Sequence, residues 1–236
     1  VTIDPDTAKD FDDALSLSKD AKGGYRLVVH IADVSHYVKP ESALDNEAAL
    51  RGNSTYFPGY CLPMLPSDLS DNLCSLKPNV NRLAVSVFLE FDKQGTLKKS
   101  RIARTVIRSD KRFSYKEAMR VIDGELTSPH APVLHLMVEL CHLLKKKRTE
   151  RGAVDFAVPS LEIKVDKEGA PTGTEIVEYD ITHQMVEEFM LKANEVIART
   201  LSQCEVGLTY RVHEEPSASD LQGFVLMARN FGIQIS

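Results

Sequence analysis

The sequence predicts an α+β fold, a mixed sheet packed with helices. Two observations carry that expectation. Residues 83–91 (LAVSVFLEF) and 96–108 (TLKKSRIARTVIR) are β-branched and apolar-rich, and the turn sequence DKQG between them makes a hairpin. Residues 131–151 and 183–202 instead read as long amphipathic helices, the first with Val133, Leu134, Leu136, Met137, Leu140, Leu143 and Leu144 at helical spacing. No repeat, linker or low-complexity stretch divides the chain, so residues 1–236 are expected to form one domain.

Taken in order, YRLVVHIADV at 25–34 is near-continuously apolar and predicts a buried strand. Pro40 opens a helix over ESALDNEAALR, which Gly52 closes. FPGYCLPMLP at 57–66 holds three prolines and a glycine, and predicts an ordered loop. A short helix over 67–76 follows, then the hairpin. Ser114 and Glu117 make a capping box for a helix ending at Gly124. Strands over 154–165 and 174–181 flank a Gly/Pro turn. A short strand at 208–212 and a helix at 218–231 complete the pattern.

No apolar run approaches the roughly 20 residues that span a bilayer, so no membrane partner is expected. The four cysteines are scattered and lack metal-ligand spacing, which argues against zinc and suits a reduced, cytoplasmic setting. The net charge of −5 speaks mildly against nucleic acid. An acidic metal site carries its own compensating cations, however. Basic residues do cluster, at Lys98, Lys99, Arg101, Arg104 and Arg108 and again at Lys145, Lys146, Lys147, Arg148 and Arg151, but such runs are ordinarily solvated faces.

The informative stretch is TIDPDTAKDFDDALSL at 2–17. Asp4, Asp10, Asp12 and Asp13 fall within ten residues, with Asp6 in a Pro-Asp turn. Ionised carboxylates this close repel unless cations neutralise them. Their hard oxygens suit magnesium, with manganese as the alternative. Phe11, Ala14 and Leu15, set among the acids, predict a segment packed on a core rather than a solvated tail. A calcium loop of the EF-hand type is excluded, because the expected ligand, glycine and glutamate positions are wrong. An exposed acidic turn is the competing reading. His30 and His36 flank Asp33, but in an extended strand the histidines share one face and Asp33 takes the other, which favours structural hydrogen bonding.

The acidic stretch, followed by HIADVSHYV at 30–38, RGNSTYFPGYCLPMLPSDLSDNLCSLKPNVNRLA at 51–84 and HQMVEEFMLKAN at 183–194, resembles the RNB catalytic domain of the ribonuclease II and ribonuclease R family. The resemblance implies a processive 3′→5′ exoribonuclease that releases nucleoside 5′-monophosphates from single-stranded RNA. The family's acidic positions map onto Asp4, Asp10, Asp12 and Asp13. Asp4 and Asp13 would ligate one magnesium, while Asp10 and Asp12 would hold a second ion or orient water. Tyr56 and Phe156 map onto an aromatic clamp on the 3′-terminal bases, although alternation in GAVDFAVP leaves core burial open for Phe156. Tyr115 and Glu188 map onto positions that touch RNA, with Glu187 a rival for Glu188 at a ribose 2′-hydroxyl. The family's domain continues past the position of Ser236 into an S-P-I-R-R-Y motif, which this sequence lacks. The chain is therefore expected to be the N-terminal two-thirds of such a domain, truncated at both ends. The alternative is an RNA-binding but catalytically incompetent relative.

Overall fold

A computed structural model describes residues 1–154, 160–166 and 168–235. Two compact units are present, Val1–Ile197 and Ala198–Ser236. The first is built on an antiparallel four-stranded sheet in the order β2 (Asp13–Lys19), β3 (Tyr25–Ala32), β6 (Asn81–Phe91), β7 (Leu97–Arg108). The expected hairpin is β6–β7, closed by Asp92, whose carboxylate accepts from the Gln94 and Thr96 amides.

Strand alternation gives this sheet two unlike faces. Leu15, Leu17, Tyr25, Leu27, Val29, Val87, Leu89 and Phe91 turn to one side. There they meet α3 (Tyr115–Ile122), α4 (Ala131–Glu150) and the part of α5 (Ile181–Gln203) that belongs to this unit. Met137, Leu140, Met185 and Phe189 are fully buried in that layer, and each contributes roughly 1.5–3 kcal/mol by leaving water. Lys19 and Tyr25 both reach Glu139, tying sheet to α4. On the opposite face a smaller cluster gathers Phe11, Ala14, Ala32, Leu69, Cys74, Leu76 and Ala84. His30 lies on this second face. It is held by Ser16 at 3.0 Å and Ser86 at 2.7 Å, and Ser86 continues to Thr105. The structural reading of His30 therefore holds.

Several elements differ from the sequence expectation. The strand expected to reach Val34 stops at Ala32, because Asp33 turns the chain into the short α1 (Val34–Tyr37). Buried Asp33 binds Arg104 at 3.1 Å and accepts from Ser35 at 2.8 Å, while His36 stacks edge-on with Tyr37. Helix α2 (Ala43–Arg51) begins after Ser42, which caps the Asp45 amide. The Pro-rich loop contains a hairpin, β4 (Thr55–Phe57) and β5 (Tyr60–Leu62), since Pro58 and Gly59 form its tight turn rather than breaking it. A π-helical turn, Leu69–Leu73, replaces the expected short helix. Strands β1 (Thr2–Asp4) and β8 (Arg112–Ser114) were not expected at all, and theirs is the parallel pair among the described strands. Strands β9 (Ser160–Val165) and β10 (Pro171–Val177) form the hairpin expected about the Gly/Pro turn, with Phe156 outside the described residues.

In the second unit no strand forms at 208–212. LTYRV has β propensity, but no described segment pairs with it, and a lone strand leaves its ladder groups unsatisfied. Helix α6 (Ala218–Asn230) is capped by Ser217, which accepts from the Asp220 amide.

Candidate active site

The four aspartates ride on one continuous turn of chain. β1 delivers Asp4 opposite Ser114 of β8, and β2 begins with Asp13 opposite Ile31. The loop between them is stitched to a distant segment. Ser75, fully buried, accepts from the Phe11 amide at 3.0 Å and donates to the Lys9 carbonyl at 2.8 Å. The Leu76 amide donates to the Phe11 carbonyl at 2.8 Å, and the Ala32 amide donates to the Asp12 carbonyl at 2.9 Å. Phe11, Ala14 and Leu15 are all buried, so the segment is anchored to both cores, and the exposed-turn reading fails.

Electrostatics join the side chains. Burial pushes the Asp4 carboxyl up to about 7, and the charges of Asp13 and Asp12 add to this while Thr2 and Arg112 ease it. Asp13 is pushed up to about 6 by burial and then by Asp12. Asp12 is raised by desolvation and then by Asp10. Asp10 accepts a hydrogen bond from the Tyr56 hydroxyl at 2.9 Å. Asp4 Oδ2, Thr2 Oγ1 and Arg112 Nε are buried without a hydrogen-bond partner; Thr2 lies near enough to favour the Asp4 anion without making a bond of normal geometry.

These residues fit a divalent cation chemically. The donors are hard oxygens, Asp4, Asp12 and Asp13 are raised first by burial and then by neighbouring carboxylates, and one buried carboxylate oxygen has no hydrogen-bond partner. Among the described residues no group of three or more His, Cys, Asp or Glu side chains is placed to hold a metal ion.

Of the residues expected to touch RNA, two join the aspartates. Tyr56 projects from β4 with its ring two-thirds exposed and its hydroxyl on Asp10. Tyr115 directly follows Ser114, the register partner of Asp4, and its phenol is pushed up to about 12 by burial and then by Asp13 and Asp4. Glu188 is placed otherwise. Its carboxylate is 4% exposed and bound to Arg148 on α4 at 2.7 Å. Glu187 lies one helical turn beyond His183, on the side of α5 that His183 presents to Tyr115.

Three contributors escaped the sequence reading. Ser75 anchors the loop. Arg112 donates to the Pro5 carbonyl, lies 5.6 Å from the Phe11 ring and is the cation that acts on Asp4. His183 stacks on Tyr115 at 3.8 Å. Ser75 and Arg112 reach the acidic loop through space, His183 touches Tyr115 rather than the loop, and the parallel β1–β8 pairing makes Arg112 and Tyr115 the loop's neighbours.

An α+β layer with four coupled aspartates on one loop and two tyrosines beside them defines an acidic-site domain. The chain belongs to the RNB domain family, which it matches over residues 1–235. It is 49% identical over 235 residues to ribonuclease R of Chlamydia pneumoniae, covering 100% of this chain and 35% of that protein. Ribonuclease R of Aquifex aeolicus is 40% identical over 243 residues, covering 99% and 34%. In structure it is similar to Mycoplasma genitalium RNase R in complex with double-stranded RNA, with a TM-score of 0.93 and 35% identity, covering 99% of this chain and 42% of that one. The chain thus spans about a third of the length of these curated relatives.

Proposed function

We propose that this chain is the larger part of the catalytic domain of a 3′→5′ exoribonuclease of the ribonuclease II/R type, acting on single-stranded RNA in the cytoplasm with magnesium. The observation that carries the reading is the coupled run Asp10–Asp12–Asp13–Asp4 on one anchored loop, with Tyr56 bonded to its outer end. Family membership and the ribonuclease R relatives support it.

In this mechanism Asp4 and Asp13 would hold one ion, while Asp10 and Asp12 would hold a second or orient water. Bound ions would supply charge neutralisation at the scissile phosphate and an activated water. The chain's own groups do the rest. Tyr56 offers an exposed ring for base stacking, worth roughly 1–3 kcal/mol per base and indifferent to sequence. Its hydroxyl fixes Asp10. Tyr115 places a neutral phenol, still protonated at physiological pH, beside Asp4 and Asp13, where it donates to the strand. The resemblance assigns Phe156, outside the described residues, to the same clamp. Glu187, rather than Glu188, is the carboxylate available to a ribose 2′-hydroxyl, because Glu188 is buried against Arg148.

The test is Asp12→Asn in the intact protein. The amide keeps shape and removes the charge that organises ion and water. Gel shift should show RNA bound as before, while a time course on end-labelled single-stranded RNA should show cleavage slowed by about 100-fold or more. Wild-type cleavage by this variant would falsify the assignment.

A further inference from the structure

Helix α5 starts with a built arrangement that the proposed chemistry does not use. Asp180 accepts from the Thr182 amide at 2.9 Å, from the Thr182 hydroxyl at 2.5 Å and from His183 Nδ1 at 2.9 Å. Thr182 is fully buried, so this cap is rigid. The imidazole is thereby fixed at one nitrogen and in one plane. That plane lies 3.8 Å from the Tyr115 ring at an interplanar angle of 12°. Tyr179 closes in from another side, its ring centre 5.7 Å away.

Tyr115 is equally constrained on its own side. It opens α3, whose cap is Ser114, and Ser114 is the register partner of Asp4. Two helix starts therefore clamp two rings together against the strand that carries Asp4. With one ring face covered by His183, the phenol is held where it opens α3, directly after the register partner of Asp4. Without that cover, the ring regains rotamer freedom, which costs catalysis wherever position matters.

We propose that His183 is a positioning residue for the reaction: pinned by Asp180, its ring holds the Tyr115 phenol in place beside Asp4 and Asp13. This rests on the reading of Tyr115 as a contact for the RNA strand, and the experiment separates the two.

The intact protein is compared as wild type, Tyr115→Ala, His183→Leu, the double variant and His183→Phe. Leucine fills the space but neither stacks in a plane nor bonds Asp180; phenylalanine keeps a ring to stack. Single-stranded RNA is the substrate, with kcat and KM measured separately, and calorimetry follows magnesium binding and the melting temperature. His183→Leu should lower kcat about tenfold with KM little changed, since misplacement near the reacting groups acts on the transition state. Magnesium affinity should stay as in wild type. In the Tyr115→Ala background the leucine should cost nothing further, because the two residues act as one unit. His183→Phe, which stacks but cannot bond Asp180, should recover part of the lost rate, and no recovery at all would overturn the role of stacking. Additive losses, or a His183→Leu enzyme at the wild-type kcat, overturn the proposal while leaving Tyr115 as a strand contact. If Tyr115→Ala cleaves as wild type, the strand contact itself fails, and the role of His183 falls with it.

Discussion

At the scale of the residue, a histidine takes its meaning from its partners. His30 lies within HIADVSHYV with Asp33 and His36 nearby, a setting that favours structural hydrogen bonding. The fold buries it between Ser16 and Ser86, where burial drives its pKa down to about 4. The neutral imidazole is the form the sheet accommodates. Above the unfolded value near 6.5 both states are neutral, and the fold keeps its full stability. As pH falls from 6.5 toward 4, the unfolded chain takes up a proton that the folded chain refuses, and stability is lost, by at most about 3 kcal/mol. Urea unfolding of wild type and His30→Gln at pH 7.5 and pH 5 checks this. Glutamine keeps polar contact with the serines but cannot titrate, so its stability should fall less between the two pH values. Equal losses in both proteins would show that His30 is not the group responsible. His183 gave no sequence signal because its meaning lies in the partners Asp180 and Tyr115, one of them across the fold.

At the scale of the element, the β4–β5 hairpin shows why the Pro-rich segment was legible as ordered but not as strand. Proline and glycine ordinarily break strands, yet Pro58 followed by Gly59 at φ 74° is the arrangement of a tight turn between two short exposed strands. Gly59 is required twice over. Its positive φ disfavours any side chain, and a Cβ there would lie 2.7 Å from Val165 Cγ2 on the β9–β10 hairpin. Gly59→Ala should therefore distort the turn that presents Tyr56 and weaken RNA binding several-fold. The melting temperature should move little, because Tyr56, Phe57 and Tyr60 are exposed and contribute little to the core. Fluorescence anisotropy with a labelled oligoribonucleotide, beside a thermal melt, measures both quantities; unaltered RNA affinity would detach Tyr56 presentation from this turn. By contrast, the β6–β7 hairpin and helix α4 were readable because strand alternation, turn chemistry and helical spacing all agree there.

At the scale of the whole first unit, the acidic loop is a liability that the rest of the fold holds in place. Its four aspartates stand out in the sequence as a candidate site because like charges so close need a reason. Their supports were not, because Ser75, Arg112 and Tyr115 are distant in sequence and meet the loop only through tertiary hydrogen bonds and the β1–β8 pairing. The loop's electrostatic cost has a measurable consequence. Burial and mutual repulsion raise Asp4 and Asp13, so at neutral pH their ionised forms oppose folding. A cation bound by these carboxylates relieves that repulsion, and it binds the folded chain alone, since the unfolded chain does not assemble them. Magnesium at about 100 times its dissociation constant should then stabilise the protein by about 2.7 kcal/mol, and chelation should remove that gain. Asp13→Asn takes away a ligand and part of the repulsion at once. Its metal-free form should be at least as stable as wild type, yet its melting temperature should respond weakly to magnesium. Calorimetric melts of both proteins in chelator and across a magnesium titration decide the matter. An equal magnesium response in the two proteins would place the ion elsewhere than on this loop.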